Sequence, residues 1–531
     1  MQKPTMARKL TILLLVAALL LTVAAGCQKK EPDASSGGYG TSEASFAIAE
    51  TSSDVQMEPD VPTDSSAADN PATSPKGDDG KTNTETSSRP IASNAISAPP
   101  PKAEVSLPEE TQIQIKPVKD AVMKETIKNM GGKTFEMATF YPQYYEIGAD
   151  PNAALRMEAF ASIEKDYNCK IEIKVLNPNT YTTVINTAKA GGELYANIYE
   201  AQKGFGDTLA RSGILADLRT VNSVDLSGNE WNPGFTLDGT FNGGIYGIGV
   251  DRTKLNYECI FFNKNIAEQY GLGDFYELVK TKQWTFETFF NISQEVYLKS
   301  NRRIYGMFTY SQQKTGEFVF ANDSSPLVIQ NDKVIFNYQD PKHLRALDFV
   351  QQYSEMGAIN LSKFEHIKEI NPNQDFTDGN CLFFTAWSNL AVMDFSRSMQ
   401  DDYGILPFPI GPDASDYKGI LCDSYYSGLA NDDPAIEDAG MILVAIANRT
   451  NVPIAEIDRQ MAPYLRDQES LEMLHLLMTS DISMIPGTRC LKDDYYEKVI
   501  PDIVLGKQTP KQALDAVAKA VQAEVDEFYM N

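Results

Sequence analysis

Apolar and polar residues alternate from Lys133 to Phe140 and again from Cys169 to Leu176 (CKIEIKVL), a period of two that predicts half-buried strands. Between them Asp150-Pro151 opens a segment in which Leu155, Ala159, Ile163 and Tyr167 recur every four residues, so a helix is expected to link the two strands. Tyr181 to Ala190 repeats the helical spacing and stops at Gly191-Gly192. Leu194 to Glu200 follows as a third apolar strand, and Phe205 to Ser212 as a short helix ended by Gly213. Strands that alternate with helices pair in parallel, because each crossover must return across the sheet. A doubly wound α/β lobe is the expected result.

Further on, Asn242-Gly243-Gly244 turns into the extended run Ile245 to Val250, and Leu255 to Asn263 leads into a helix ending at Gly271. Here the chain is expected to leave the first lobe. Helical patterns at Thr285 to Leu298 and at His343 to Met356, with the apolar strand Cys381 to Ala386 after Asp378-Gly379, predict a second α/β lobe. Beyond Tyr403 to Pro409 (YGILPFP) the tail is mostly helical, over Ala435 to Asn448, Ile457 to Thr479 and Pro510 to Met530, and these helices are expected to pack on both lobes. The lobes are therefore drawn at about 131–249 with 421–485, and 250–420 with 486–531, inside a domain spanning 122–531.

The N-terminal part follows a different pattern. Lys3, Arg8 and Lys9 precede an uncharged run from Leu10 to Ala25 (LTILLLVAALLLTVAA) and then Gly26-Cys27, the three regions of a secretory signal over residues 1–26. The run would make a helix of roughly 24 Å, short of the ~30 Å hydrocarbon core, so a membrane span is the weaker alternative. From Gln28 to about Ala121 the residues are dominated by Ser, Thr, Asp, Pro, Gly and Ala, which cannot offset their ordering entropy. A disordered linker with a root-mean-square span of roughly 50 to 60 Å is expected there. The junction Ala24-Ala25-Gly26-Cys27 resembles the lipobox of bacterial lipoproteins, with Ala24 where Leu is more usual. That likeness implies a diacylated Cys27, and two acyl chains hold a protein stably on the outer face of the cell membrane.

Charge and composition exclude several classes. The net charge is -25, and no Lys or Arg cluster lies outside the first residues, so nucleic acid is not an expected partner. Cys169, Cys259, Cys381, Cys422 and Cys490 are scattered, odd in number and without CxxC spacing, which implies neither a disulfide framework nor a zinc site. His343, His366 and His475 are far apart, so no metal site is expected. The glycine-rich NGGIYGIG runs from turn to strand, whereas phosphate cradles run from strand to helix. No cofactor is expected, and no GxSxG elbow or HExxH points to a hydrolase.

The order of segments over roughly residues 130 to 531 resembles the family 1 extracellular solute-binding proteins of ABC importers, the maltose-binding-protein-like receptors. SGILADL (Ser212 to Leu218) is similar to the family's "GLLxDL", GGIYGIGVD (Gly243 to Asp251) to "GKxYGxP", ECIFFNKNIAEQYGL (Glu258 to Leu272) to "LYYNKDLFEKAGL", and QWTFETF (Gln283 to Phe289) to "PKTWDEF". DFTDGNCLFFTAWSNL (Asp375 to Leu390) followed by DDYGILPFPIGP (Asp401 to Pro412) resembles "F..GKAAM...GxW" and "YGVxPLPxGP". Gly249 and Cys381-Leu382 depart from the usual Pro and Ala-Met. The resemblance implies a two-lobed periplasmic-binding-protein-like fold of type II and a ligand cleft between lobes joined by crossing segments. It also implies a monomer without catalysis that passes a captured carbohydrate to a membrane permease.

In open α/β sheets ligands lie outside the carboxyl ends of the strands. That rule nominates Tyr141 and Tyr144 after the first strand, Asn179 and Tyr181 after the second, and Glu200 and Gln202 after the third. In the second lobe it selects Trp387, between a strand and a helix that Ser388 would cap, and the resemblance implies that a tryptophan here stacks on sugar rings. A pyranose has apolar C–H faces that match an aromatic plane, while its hydroxyls need planar polar partners. Asp251 and Arg252 follow the hairpin at the expected crossing, and Trp231, Tyr310, Asp423 and Tyr425 join them by local likeness and loop position. Each competes with an ordinary role in a core or as a solvated charge, and Trp284 is expected to pack at a helix start. Two other functions stay open. One is a surface polysaccharide hydrolase, needing two carboxylates about 5 to 10 Å apart; the other is a sensory or adhesive lipoprotein using the same cleft without transport.

Overall fold

The computed structural model describes residues 123–529 apart from 148, 227–238, 242–243, 250–253, 255, 331–332, 391–393, 422–424, 481 and 485–490. The expected signal peptide and linker, and with them Cys27, Trp231, Asp251, Arg252 and Asp423, lie outside the described residues.

The principal strands in chain order are β1 (Lys133–Thr139), β2 (Cys169–Val175), β3 (Ile198–Ala201), β4 (Tyr257–Asn263), β5 (Tyr305–Thr309), β6 (Cys381–Trp387), β7 (Tyr403–Leu406), β8 (Gly419–Leu421), β9 (Tyr426–Leu429) and β10 (Ile482–Met484). The longer helices are α1 (Ala153–Tyr167), α2 (Tyr181–Gly191), α3 (Lys203–Arg211), α4 (Lys264–Tyr270), α5 (Phe286–Lys299), α6 (Pro341–Glu355), α7 (Ile436–Thr450), α8 (Ile454–Met461), α9 (Gln468–Thr479) and α10 (Pro510–Tyr529). The first sheet has the order β9-β3-β1-β2, with β1 parallel to β2 and β3, and β9 antiparallel to β3. In the second, ordered β10-β8-β4-β6-β5 with β7 also beside β4, β5 and β6 run parallel while β4 is antiparallel to β6, β7 and β8. The mixed sheets show that parallel pairing holds for the strands joined by helical crossovers, not for every strand.

Local chemistry sets the element ends. All seven residues of β4 are buried, so it reads as a continuous apolar run rather than an alternation. Asn263 caps α4 by accepting the Ile266 N–H at 3.0 Å, and Gly271 stops it in the left-handed region at φ 60°, a conformation that costs glycine little. Residues 457–479, expected as one helix, are divided into α8 and α9 by the turn Ala462–Tyr464, because Pro463 has no N–H to continue the ladder. The third strand is shorter than its apolar run: Leu194 is exposed, and pairing begins only near Ile198.

Helices cover both faces of the first sheet. Phe135, Phe160, Ile163 and Leu443 pack on one side with α1 and α7, and Ala138, Tyr181, Ile185 and Leu209 on the other with α2 and α3. The second core gathers Phe261, Trp284, Phe289, Phe318, Phe383 and Tyr403. Trp284 packs there as expected, its indole N–H donating to the Pro407 carbonyl at 2.9 Å. The tail helices divide differently from the sequence boundaries. Only α7 joins the first core; the apolar stripe Ile457, Met461, Leu471, Leu474 and Leu477 of α8 and α9 lies in the second, where α9 covers β7 and β8. Residues 454–479 are thereby moved out of the 421–485 segment drawn for the first lobe.

The chain passes between the two sheets after Ile248, between β8 and β9, and between α7 and α8. Ile248 and Ser427 exchange backbone hydrogen bonds of 3.0 and 2.9 Å, and Ile420 pairs with Glu258 on the far side. The first two crossings are thus antiparallel neighbours at both ends.

Candidate functional site

The in-step register from Lys133↔Cys169 to Thr139↔Val175 brings the carboxyl ends of β1 and β2 to one sheet edge. There β1 gives way to Tyr141 and the tight turn Pro142–Tyr145. The rings of Tyr141 and Tyr144 are 5.6 Å apart, and Tyr425, arriving from the crossing before β9, stands edge-on to them at 5.0 and 5.4 Å. Arg156 clamps this turn from inside α1. It is fully buried, donates to the Tyr144 carbonyl, pairs with Asp150 at 2.6 Å and sets its guanidinium 4.9 Å from the Tyr144 ring centre. Tyr141 is half-buried, whereas Tyr144 and Tyr425 are enclosed, so the outer face of the cluster belongs to Tyr141.

Glu200 and Tyr181 differ from their expected places. Glu200 is not a loop carboxylate after the third strand but a buried member of β3. One of its oxygens accepts from the Lys254 ammonium at 2.9 Å and from the Tyr145 hydroxyl, tying the first crossing to the first sheet. The other oxygen has no hydrogen-bond partner among the described residues. Tyr181 begins α2 with its ring turned into the core and donates its hydroxyl to the Glu200 carbonyl at 2.7 Å. Burial, then the charge of Glu200, raises its phenol well above the usual range. In this structure its ring packs in the core and its hydroxyl serves the backbone. Asn179 is exposed in the turn before α2, and Gln202 is half-buried just before α3.

In the second lobe Thr309 pairs with Thr385 across parallel β5 and β6, so Tyr310 and Trp387 leave the same sheet edge. The Tyr310 N–H donates to the Thr385 carbonyl at 3.0 Å. Their ring centres are 4.2 Å apart at 64°, and both side chains are half-buried. Ser388 follows Trp387 at the end of β6. Its hydroxyl bonds Asn256 at 3.2 Å, which secures the end of β6 to the first crossing.

An ionisable group sits against Trp387. Glu258, directly opposite it on β4, is fully buried and paired with Lys314 from the turn Gln312–Glu317 after β5. The Lys314 ammonium is 5.3 Å from the Trp387 ring centre. Glu317 is buried nearby, and burial first and the Glu258 charge second push its carboxyl far above the carboxylate range, with Lys314 pulling the other way.

Arg156, Lys254, Glu258, Lys314 and Glu317 were not nominated from the sequence. Glu258 and Arg156 carried a signal, since each places a charge where the period calls for an apolar residue. Lys314 and Lys254 carried none, because both lie in polar connecting segments. The assembled surfaces offer aromatic planes held by buried charge pairs, an arrangement suited to binding a ring-shaped solute.

Several solved structures share this architecture. The cyclic α-maltosyl-1,6-maltose binding protein of Arthrobacter globiformis aligns with a TM-score of 0.55 at 14% identity, covering 75% of this chain and 100% of that one. The sugar-binding protein MalE of Xanthomonas citri gives 0.54 at 14% identity, covering 74% and 98%. A Staphylococcus aureus extracellular solute-binding protein in complex with maltose gives 0.54 at 12% identity, covering 75% and 98%. At such identities the likeness concerns the fold, which is of the type II periplasmic-binding-protein kind. No curated protein matches the chain by sequence. The family profile described as bacterial extracellular solute-binding protein matches residues 158–432, more than half of the chain, and the chain belongs to that family.

Proposed function

We propose that the chain is the receptor of an ABC importer, held on the outer face of the membrane by a lipid on Cys27, that captures a carbohydrate between its two lobes and delivers it to a permease. The observation that carries this is the placement of aromatic side chains at the carboxyl ends of both sheets: Trp387 and Tyr310 on one, Tyr141 with Tyr144 and Tyr425 on the other. A solute that touches both surfaces favours the closed form by its differential affinity for it. The maltose complex of the Staphylococcus aureus protein and the maltosyl-maltose receptor of Arthrobacter globiformis support a glucan as the first ligand to test. Asp251, Arg252, Trp231 and Asp423 are proposed as further contacts.

Titration calorimetry of the full chain with maltose, maltotriose and a cyclic glucan is expected to give saturable binding, with the sugar recovered unaltered. Silence from the whole panel at millimolar sugar would overturn a glucan receptor, and release of shorter sugars would make the protein a hydrolase. For the anchor, Cys27→Ala is expected to move the chain from the membrane fraction to the medium. Retention at the membrane would remove the lipid from the proposal.

A further inference from the structure

Glu258, Lys314 and Glu317 are ionisable groups buried together beside the second sheet. An ammonium and two carboxyl groups beside an indole carry a desolvation cost that well-packed apolar residues of the same volume would avoid. Their geometry suggests another use. Glu258 faces Trp387 across the β4–β6 pair, and Lys314 reaches back from the turn after β5 to meet the Glu258 carboxylate. The same ammonium lies 5.3 Å from the indole centre, while the Tyr310 ring approaches at 4.2 Å and 64°. Lys314 is held where it stands by its ion pair with Glu258.

We propose that Lys314, locked by Glu258, is the positioning residue of the Trp387 platform: its ammonium occupies one face of the indole and fixes the ring, leaving the opposite face for the solute. An ammonium over an indole is attracted by the ring quadrupole, and more strongly where water is excluded. A charge held on that face also disfavours a cationic solute on the other, so the platform selects neutral rings over amines. The proposal rests on the reading of Trp387 as a solute contact, and its test separates the two.

The full chain carrying Glu258→Gln with Lys314→Met removes both members of the ion pair at nearly constant volume; Lys314→Arg keeps the cation. Subtracting the emission of Trp387→Phe isolates Trp387 from Trp231 and Trp284. The double variant is expected to shift the Trp387 emission and increase its quenching by acrylamide, and to weaken maltotriose binding about tenfold. The Lys314→Arg variant should restore both to within about threefold of the wild type. Unchanged emission, quenching and affinity in a folded double variant would overturn the positioning role, as would a loss that Lys314→Arg does not restore. If the wild-type chain binds no sugar, the receptor proposal fails by itself, and the Trp387 emission and quenching still decide whether Lys314 positions the ring.

Discussion

Acidification from pH 7.5 to 5 is expected to cost the fold roughly 2 kcal/mol through one side chain, His343. It lies on α6, fully buried, with Nε2 2.7 Å from the Tyr495 hydroxyl and Nδ1 3.1 Å from the Asn337 carbonyl. A neutral imidazole satisfies both contacts, donating from Nδ1 to Asn337 and accepting at Nε2 from Tyr495. A second proton would turn Nε2 from acceptor to donor, and burial opposes its charge in any case, lowering the pKa from 6.5 to about 4. The unfolded chain therefore binds a proton between these values that the folded chain refuses. The stabilisation is complete above pH 6.5 and is lost as pH falls through the window to 4. The two values differ by roughly 3 kcal/mol of free energy in all, of which about 2 kcal/mol is gone by pH 5. Urea unfolding of the wild type and of His343→Gln at pH 7.5 and 5.0 measures this directly. Other titrations are common to both proteins and cancel in the difference between them. The wild-type advantage over the variant should shrink by about 2 kcal/mol at the lower pH. An advantage independent of pH would show that the folded chain takes up the His343 proton as readily as the unfolded one, and burial would not be opposing its charge.

Trp387→Ala is expected to weaken sugar binding by about 1 to 3 kcal/mol with little change in melting temperature, because the ring is half-buried at a sheet edge; unchanged affinity in calorimetry would return it to an ordinary packing role. Tyr181→Phe removes the hydroxyl bonded to the Glu200 carbonyl and should cost about 1 kcal/mol of stability with affinity intact. Loss of affinity at wild-type stability would instead put Tyr181 in the site. Arg156→Met breaks the buried pair with Asp150, which should cost about 3 to 5 kcal/mol and alter the tyrosine signal in near-ultraviolet circular dichroism. A variant as stable as the wild type, with an unaltered tyrosine spectrum, would show that the turn at Tyr141 and Tyr144 does not depend on this clamp.

Periodicity located the elements because it reports which face of each is apolar, and it stopped there. The stripe through Ile457, Leu471 and Leu477 was visible, but the sheet it covers was not, so α8 and α9 were drawn on the first lobe and lie in the second core. Pro463 fell inside an unbroken apolar pattern, which hid the turn between them. The carboxyl-end rule selected Trp387, while Tyr310 came in by local likeness and loop position; parallel register delivers the residues after β5 and β6 to one edge. For Tyr181 the rule found the loop but could not say whether the first turn of α2 points its ring outward or back into the core, where it lies.

Charge pairs formed across long sequence separations were the least legible part. Glu200 meets Lys254, and Glu258 meets Lys314, through sheet order that no local pattern encodes. Glu258 is the exception that could have been found. A carboxylate inside the apolar run YECIFFN, in a strand buried on both faces, needs a cation within reach or must give up its charge. Once Glu258 is placed opposite Trp387, that cation has to come from the edge where Tyr310 and Trp387 emerge, and the turn after β5 supplies Lys314. The buried acid therefore points to the same edge as the aromatic platform, and does so without reference to any sugar.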